Sequence, residues 1–135
     1  MTTISGYSDY GRLTATGGAI ERSRARTVTL WILQVGAAAM FLAAGVPKLL
    51  GAPAMVQMFN TIGIGQWFRY LTGSIEVLSG LSLLVPSLAF YGAAVLVATM
   101  VGAIATHLFI VGGSPVPAIV LLAVTSVIAF LRRPW

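Results

Sequence analysis

The chain is 135 residues long, enough for one domain, and 58% of it is hydrophobic while only 8% is charged. Soluble domains carry about 25% charged residues, so eight basic and three acidic side chains are too few to cover a water-facing surface, and the mean hydropathy of +0.94 agrees: the composition is that of an integral membrane protein. The absence of cysteine excludes disulfides, thiolate chemistry and Cys-ligated iron–sulfur clusters, the single histidine argues against a bis-imidazole haem, and the net charge of +5 sits mostly at the ends of apolar segments, where it orients a membrane protein rather than binding nucleic acid.

Residues 1–27 are rich in Ser, Thr, Gly and Arg, with no apolar run and no helical period. They read as a flexible cytoplasmic tail that lacks the apolar core of a signal peptide. Arg22, Arg24 and Arg26 stand where anionic headgroups would hold this end inside.

From Val28 onward four apolar spans of about 20 residues fill most of the chain. The first covers Val28 to Leu50. An uncharged connection, Gly51 to Gln66, contains Ala54 to Phe59 as a short helix on the membrane surface. The second span runs from Trp67 to Val85 and stops at Pro86-Ser87, and the third from Ala89 to Val111, ending at Gly112-Gly113-Ser114-Pro115. The fourth covers Val116 to Leu131 and is closed by Arg132-Arg133. Trp31, Trp67 and Trp135 fall near predicted ends, as interfacial tryptophans do. Residues 28–135 therefore form, in expectation, an all-α, up-down-up-down four-helix membrane bundle. Six arginines (12, 22, 24, 26, 132 and 133) group on one side, and Lys48 and Arg69 on the other. Both termini are expected in the cytoplasm.

Depth along the spans singles out a site. At 1.5 Å per residue, Lys48 lies about 30 Å along the first span, Glu76 about 13 Å into the second, and His107 about 27 Å along the third. With Arg69, all four charged or imidazole residues within the spans fall in the outer half of the bilayer. The second span places Arg69, Thr72, Gly73, Glu76, Ser79, Gly80 and Leu83 on one polar, small-residue stripe, and the first places Gln34, Ala38, Phe41, Ala44, Gly45 and Lys48 on another. On the third, Ala94, Ala98, Gly102 and Thr106 recur every four residues, as in close helix contacts. A carboxylate near a helix centre costs about 2.5–3.5 kcal/mol to insert, so Glu76 calls for a role: a functional acid, or a buried pair that locks the bundle. Lys48 and Arg69 have the plainer alternative of snorkelling to headgroups, and His107 that of bonding a backbone carbonyl. Met55 and Met58 read as ordinary apolar contacts.

Phe41-Leu-Ala-Ala-Gly45-Val-Pro47-Lys48, Gly73-Ser-Ile-Glu76-Val-Leu-Ser-Gly80 with Leu83-Leu-Val-Pro86, and Gly102-Ala-Ile-Ala-Thr106-His107 together resemble the ends of the first three helices of the DoxX-like family. The resemblance spans residues 30–133. It implies a four-helix, multi-pass protein of the bacterial inner membrane, redox-linked and associated with quinone or thiosulfate oxidation. Matched position by position, it points to Lys48, Glu76 and His107 as the chemical site. Arg69, Phe41, Thr72 and Thr106, on the same helices, are the expected ligand contacts.

Three functions fit. An accessory subunit would hold a lipid-soluble ligand, a quinone cofactor or an isoprenoid, with Glu76 and His107 bonding its head and Lys48 balancing the charge. A membrane enzyme would use Glu76 as proton donor for isomerisation, epoxide opening or cyclisation of an isoprenoid. A structural subunit would recruit a membrane-protein partner, or a second copy of itself, through small-residue faces. No metal site and no Walker-type nucleotide loop is present in the pattern. The protonation of Glu76 separates the first two. Lys48 lies nearer the outer surface than the acid along the helix axes, which favours a lysine that snorkels outward and a neutral, proton-donating Glu76.

Overall fold

The computed structural model describes residues 5–135, with side chains from residue 15 on. Residues 1–4 of the expected tail, and the Arg12 side chain counted in the charge asymmetry, lie outside what is described. The described residues form helices and turns only: α1 (Ser5–Leu50), α2 (Pro53–Ile62), α3 (Gln66–Ser82), α4 (Ala89–Thr106), a π-helical turn (His107–Val111) and α5 (Val116–Arg132). The chain divides into two units, Met1–Ile32 and Leu33–Trp135.

The first unit departs from the sequence expectation of a tail without helical period. It is helical from Ser5, and the side chains of residues 15–29 are exposed. Propagating a helix from an existing one adds a hydrogen bond for each residue fixed, whereas nucleation does not. Ala15, Ala19, Glu21, Arg22, Arg24 and Arg26 are all tolerant of that extension. Hydrophobic periodicity, which needs a buried face, is silent about such a helix.

In the second unit the predicted elements fall where the punctuation places them. Pro53 takes the first turn of α2, where its missing N–H is not needed. The α2 helix is longer than the Ala54 to Phe59 stretch read as a surface helix. Past α3 a run of turns through Pro86 reverses the chain into α4. Two helical segments, Ala15–Leu50 and Ala89–Val111, are long and apolar enough to cross a membrane, and α5 is a shorter apolar helix.

The core is built around Phe41, Leu83, Leu96 and Ile128, each fully buried, with Ala37, Ala93, Met100 and Ala118 between them. Glycines set the helix spacing. A Cβ at Gly45 would lie 2.9 Å from the Gly73 carbonyl and 3.1 Å from the Glu76 Cβ; one at Gly73 would lie 3.0 Å from the Lys48 Cβ. The stripes on α1 and α3 thus meet face to face, as their spacing predicts. On α4 the expected stripe is not the seam. The close approach to α3 is at Gly92, where a Cβ would stand 2.9 Å from the Ser79 carbonyl, and Ala89, Ala93 and Leu96 are buried beside it. Ala94 and Ala98 are exposed, and nothing lies within 4 Å of a Cβ position at Gly102.

Each end of the α1–α3 contact carries a polar lock. Arg69, buried although it was open to a snorkelling role, donates from Nη1 to the Lys48 carbonyl and from Nε to Gln66 Oε1 at 2.7 Å. Its guanidinium lies 4.3 Å from the Tyr70 ring centre. A cation on the last carbonyls of α1 is favourable both as a hydrogen bond and against the helix dipole. Gly51, at φ +72°, turns the chain tightly beside that guanidinium. At the opposite end fully buried Gln34 donates from Nε2 to the Leu83 carbonyl, and its Oε1 accepts from Arg132 Nε at 2.9 Å. Arg132, read from sequence as an orientation signal, is therefore also a partner of the first helix.

Candidate functional site

Lys48 and Glu76 form a buried ion pair, with Nζ 2.7 Å from both carboxylate oxygens. The Lys48 side chain is 14% exposed and that of Glu76 4%, so water screens the pair weakly. This corrects the expectation that Lys48 snorkels outward and leaves a neutral acid. The expectation compared depths along two separate helix axes. The Gly45–Gly73 crossing sets Glu76 level with Gly45 and Lys48 one turn beyond, about 4.5 Å along the axis. A four-carbon stem spans that distance easily. The outward-pointing Lys48 on which the proton-donor reading of Glu76 depended is not what the structure shows.

The pair stands in the wall of a cavity of about 540 Å³. That falls within the range of sites for small organic ligands, about 300–1,000 Å³. The walls are mostly apolar. Phe59 and Ile62 of α2, Phe68 and Ile75 of α3, and Val95 and Ala103 of α4 contribute side chains. Phe59 and Phe68 meet at 5.8 Å between ring centres, tilted by 60°, and join α2 to α3. Ala98, Gly102 and Thr106 also line the cavity. The small-residue stripe of α4 makes room for the cavity rather than a helix contact.

His107 opens the π-helical turn and lines the same cavity. Its Nδ1 lies 2.9 Å from the Gly112 carbonyl, so this nitrogen carries the proton and donates. The sequence placed Lys48, Glu76 and His107 within mutual reach. The first two bond directly; His107 shares their cavity without a direct bond to either. π-Helical turns widen a helix locally and recur at functional sites.

The expected ligand contacts divide. Thr72 and Thr106 line the cavity. Phe41 does not: it is fully buried in the core, against the Cβ position of Gly80. Arg69 also faces elsewhere, onto the end of α1. Sequence reasoning missed Thr99 and the wall supplied by α2, including Met58, which it read as an ordinary apolar contact. The available signal was the apolar spacing of Met58, Phe59 and Ile62 on a helix too short to span a bilayer.

The model of the DoxX-like family matches residues 32–131, a stretch that contains the ion pair, the cavity and Gln34 and ends one residue before Arg132. It is a family of membrane proteins, in agreement with the two helices long and apolar enough to cross. Comparison with curated proteins and with solved structures returned no match.

Proposed function

The chain belongs to the DoxX-like family, and on that premise we propose that it is a multi-pass protein of the bacterial inner membrane that binds a lipid-soluble molecule, a quinone or an isoprenoid, in an accessory, redox-linked role. The observation that carries this reading is the ion pair in the wall of an apolar cavity. Apolar walls receive a hydrocarbon tail, and the ion pair with His107 supplies the few convergent polar groups that fix a head. Because Lys48 already neutralises Glu76, the site takes an uncharged head without burying net charge.

The decisive measurement is mass spectrometry of small molecules retained through purification in mild detergent. A quinone or isoprenoid bound in near-stoichiometric amount is the expected result, reduced by narrowing the cavity with Gly102→Leu, a lining position with nothing within 4 Å of its Cβ. Purified protein that retains no such molecule and takes up neither a short-chain quinone nor farnesol from micelles would overturn the reading.

Topology is part of the same proposal. Four spans, α1 from Val28, α3, α4 with the π turn, and α5, would set both termini in the cytoplasm. Reporters fused after Trp135 and within residues 51–66 are expected to report opposite compartments. The same compartment at both would overturn the four-span arrangement.

A further inference from the structure

The polar groups facing the cavity are unequal in kind. Six polar side chains line it: Lys48, Glu76, Thr72, Thr99, Thr106 and His107. The three threonine hydroxyls donate to carbonyls of their own helices, Thr72 to Phe68 and Arg69, Thr99 to Val95, and Thr106 to Gly102. Each keeps only lone pairs to offer. Glu76 as a carboxylate accepts only. His107 bonds the Gly112 carbonyl through Nδ1, the arrangement of the tautomer in which Nε2 is an acceptor, and no group among the described residues bonds Nε2. Against these acceptors stands one donor. The Lys48 ammonium has three N–H groups and directs itself at both oxygens of Glu76, leaving one.

Building on the lipid-ligand reading, we propose that the cavity selects a hydroxyl-headed lipid, whose O–H donates to His107 Nε2 and whose oxygen accepts the remaining N–H of Lys48. His107 is the acceptor of choice because the Glu76 oxygens are engaged by Lys48, whereas Nε2 has no competing partner. An alcohol both donates and accepts, and so answers both sides of the wall. A ketone, aldehyde or ether answers Lys48 alone and gives Nε2 no donor, so of the two ligand classes in the lipid reading the wall favours an isoprenoid alcohol or a reduced quinone over an oxidised quinone. An ammonium head answers the acceptors but opposes the Lys48 charge. Sites built to bond a hydroxyl discriminate strongly against analogues that lack it, because the site's own polar group is left unpaired.

Farnesol, farnesyl methyl ether and farnesal share one chain and differ in the head. Binding of each to the full chain in lipid nanodiscs, read by competition or native mass spectrometry, tests the proposal. Farnesol is expected to bind about tenfold more tightly than the other two, the equivalent of one hydrogen bond. Equal binding by all three overturns the hydroxyl preference while leaving a lipid site in place; no binding by any of them overturns the hydroxyl proposal, and no binding of a short-chain quinone either would overturn the lipid site as well. The protein has one histidine, so ¹⁵N-histidine NMR reports on that ring alone. The expected spectrum has Nδ1 protonated throughout and an Nε2 resonance that moves on adding farnesol and stays still with the ether. An Nε2 that ignores farnesol would overturn the assignment to His107 without any substitution that risks the fold.

Discussion

Lys48→Met is expected to destabilise the protein by about 3–5 kcal/mol, because it removes one partner of a buried pair and strands the other charge. The two halves of the pair are not equivalent. Glu76, at 4% side-chain exposure, has no escape to water once its partner is gone; Lys48, at 14% and on a longer stem, has a partial one. Glu76→Gln also keeps an amide oxygen near the ammonium. That variant is expected to lose less, about 1–3 kcal/mol. The double variant Lys48→Met/Glu76→Leu removes both charges and replaces them with apolar volume, and it is expected to recover most of the loss, since such replacements are often neutral or stabilising by about 1–4 kcal/mol. Unfolding in mixed micelles, arranged as a double-mutant cycle, measures all four states. A double variant no more stable than Lys48→Met would show that the two side chains do not act as a pair.

Gly45→Ala is expected to cost about 1–3 kcal/mol, the range for overpacking a close contact, and Gly45→Leu to prevent recovery of folded protein. The new Cβ would meet the Gly73 carbonyl at 2.9 Å, and backbone cannot rotate aside as a flexible side chain can. Separating α1 from α3 would also draw Lys48 away from Glu76, so the loss should exceed the steric cost alone. Gly36→Ala is the control, with nothing within 4 Å of its Cβ position. It should leave stability unchanged or raise it slightly, since alanine is the better helix former. Equal losses at the two positions would mean that the α1–α3 contact is not what Gly45 maintains.

The sequence carried the element boundaries well because each is marked by a residue with a conformational reason: Pro53 at the start of α2, Pro86 in the turn after α3, Gly112 and Gly113 after the π turn. It also carried the pairing of the α1 and α3 stripes, where glycines and ionisable residues share one helical period. Periodicity did not distinguish two uses of small side chains. Gly45 admits a neighbouring helix and Gly102 admits open space, yet both read as a gap in side-chain volume. Phe41 shared the face of Lys48, and only packing shows that it reaches the core while Lys48 reaches the cavity. Depth along one helix was sound, but depth compared between helices needed the crossing point and the length of the lysine stem. The helical continuation before Val28 left no hydrophobic signature because its described side chains bury almost nothing.

The link between Gln34 and Arg132 bears on how the bundle assembles. The two residues are 98 positions apart in the chain. A chain that ends before α5 would leave the fully buried Gln34 oxygen without this partner, at a cost of about 1–3 kcal/mol, so the last helix completes a hydrogen bond that the first helix presents.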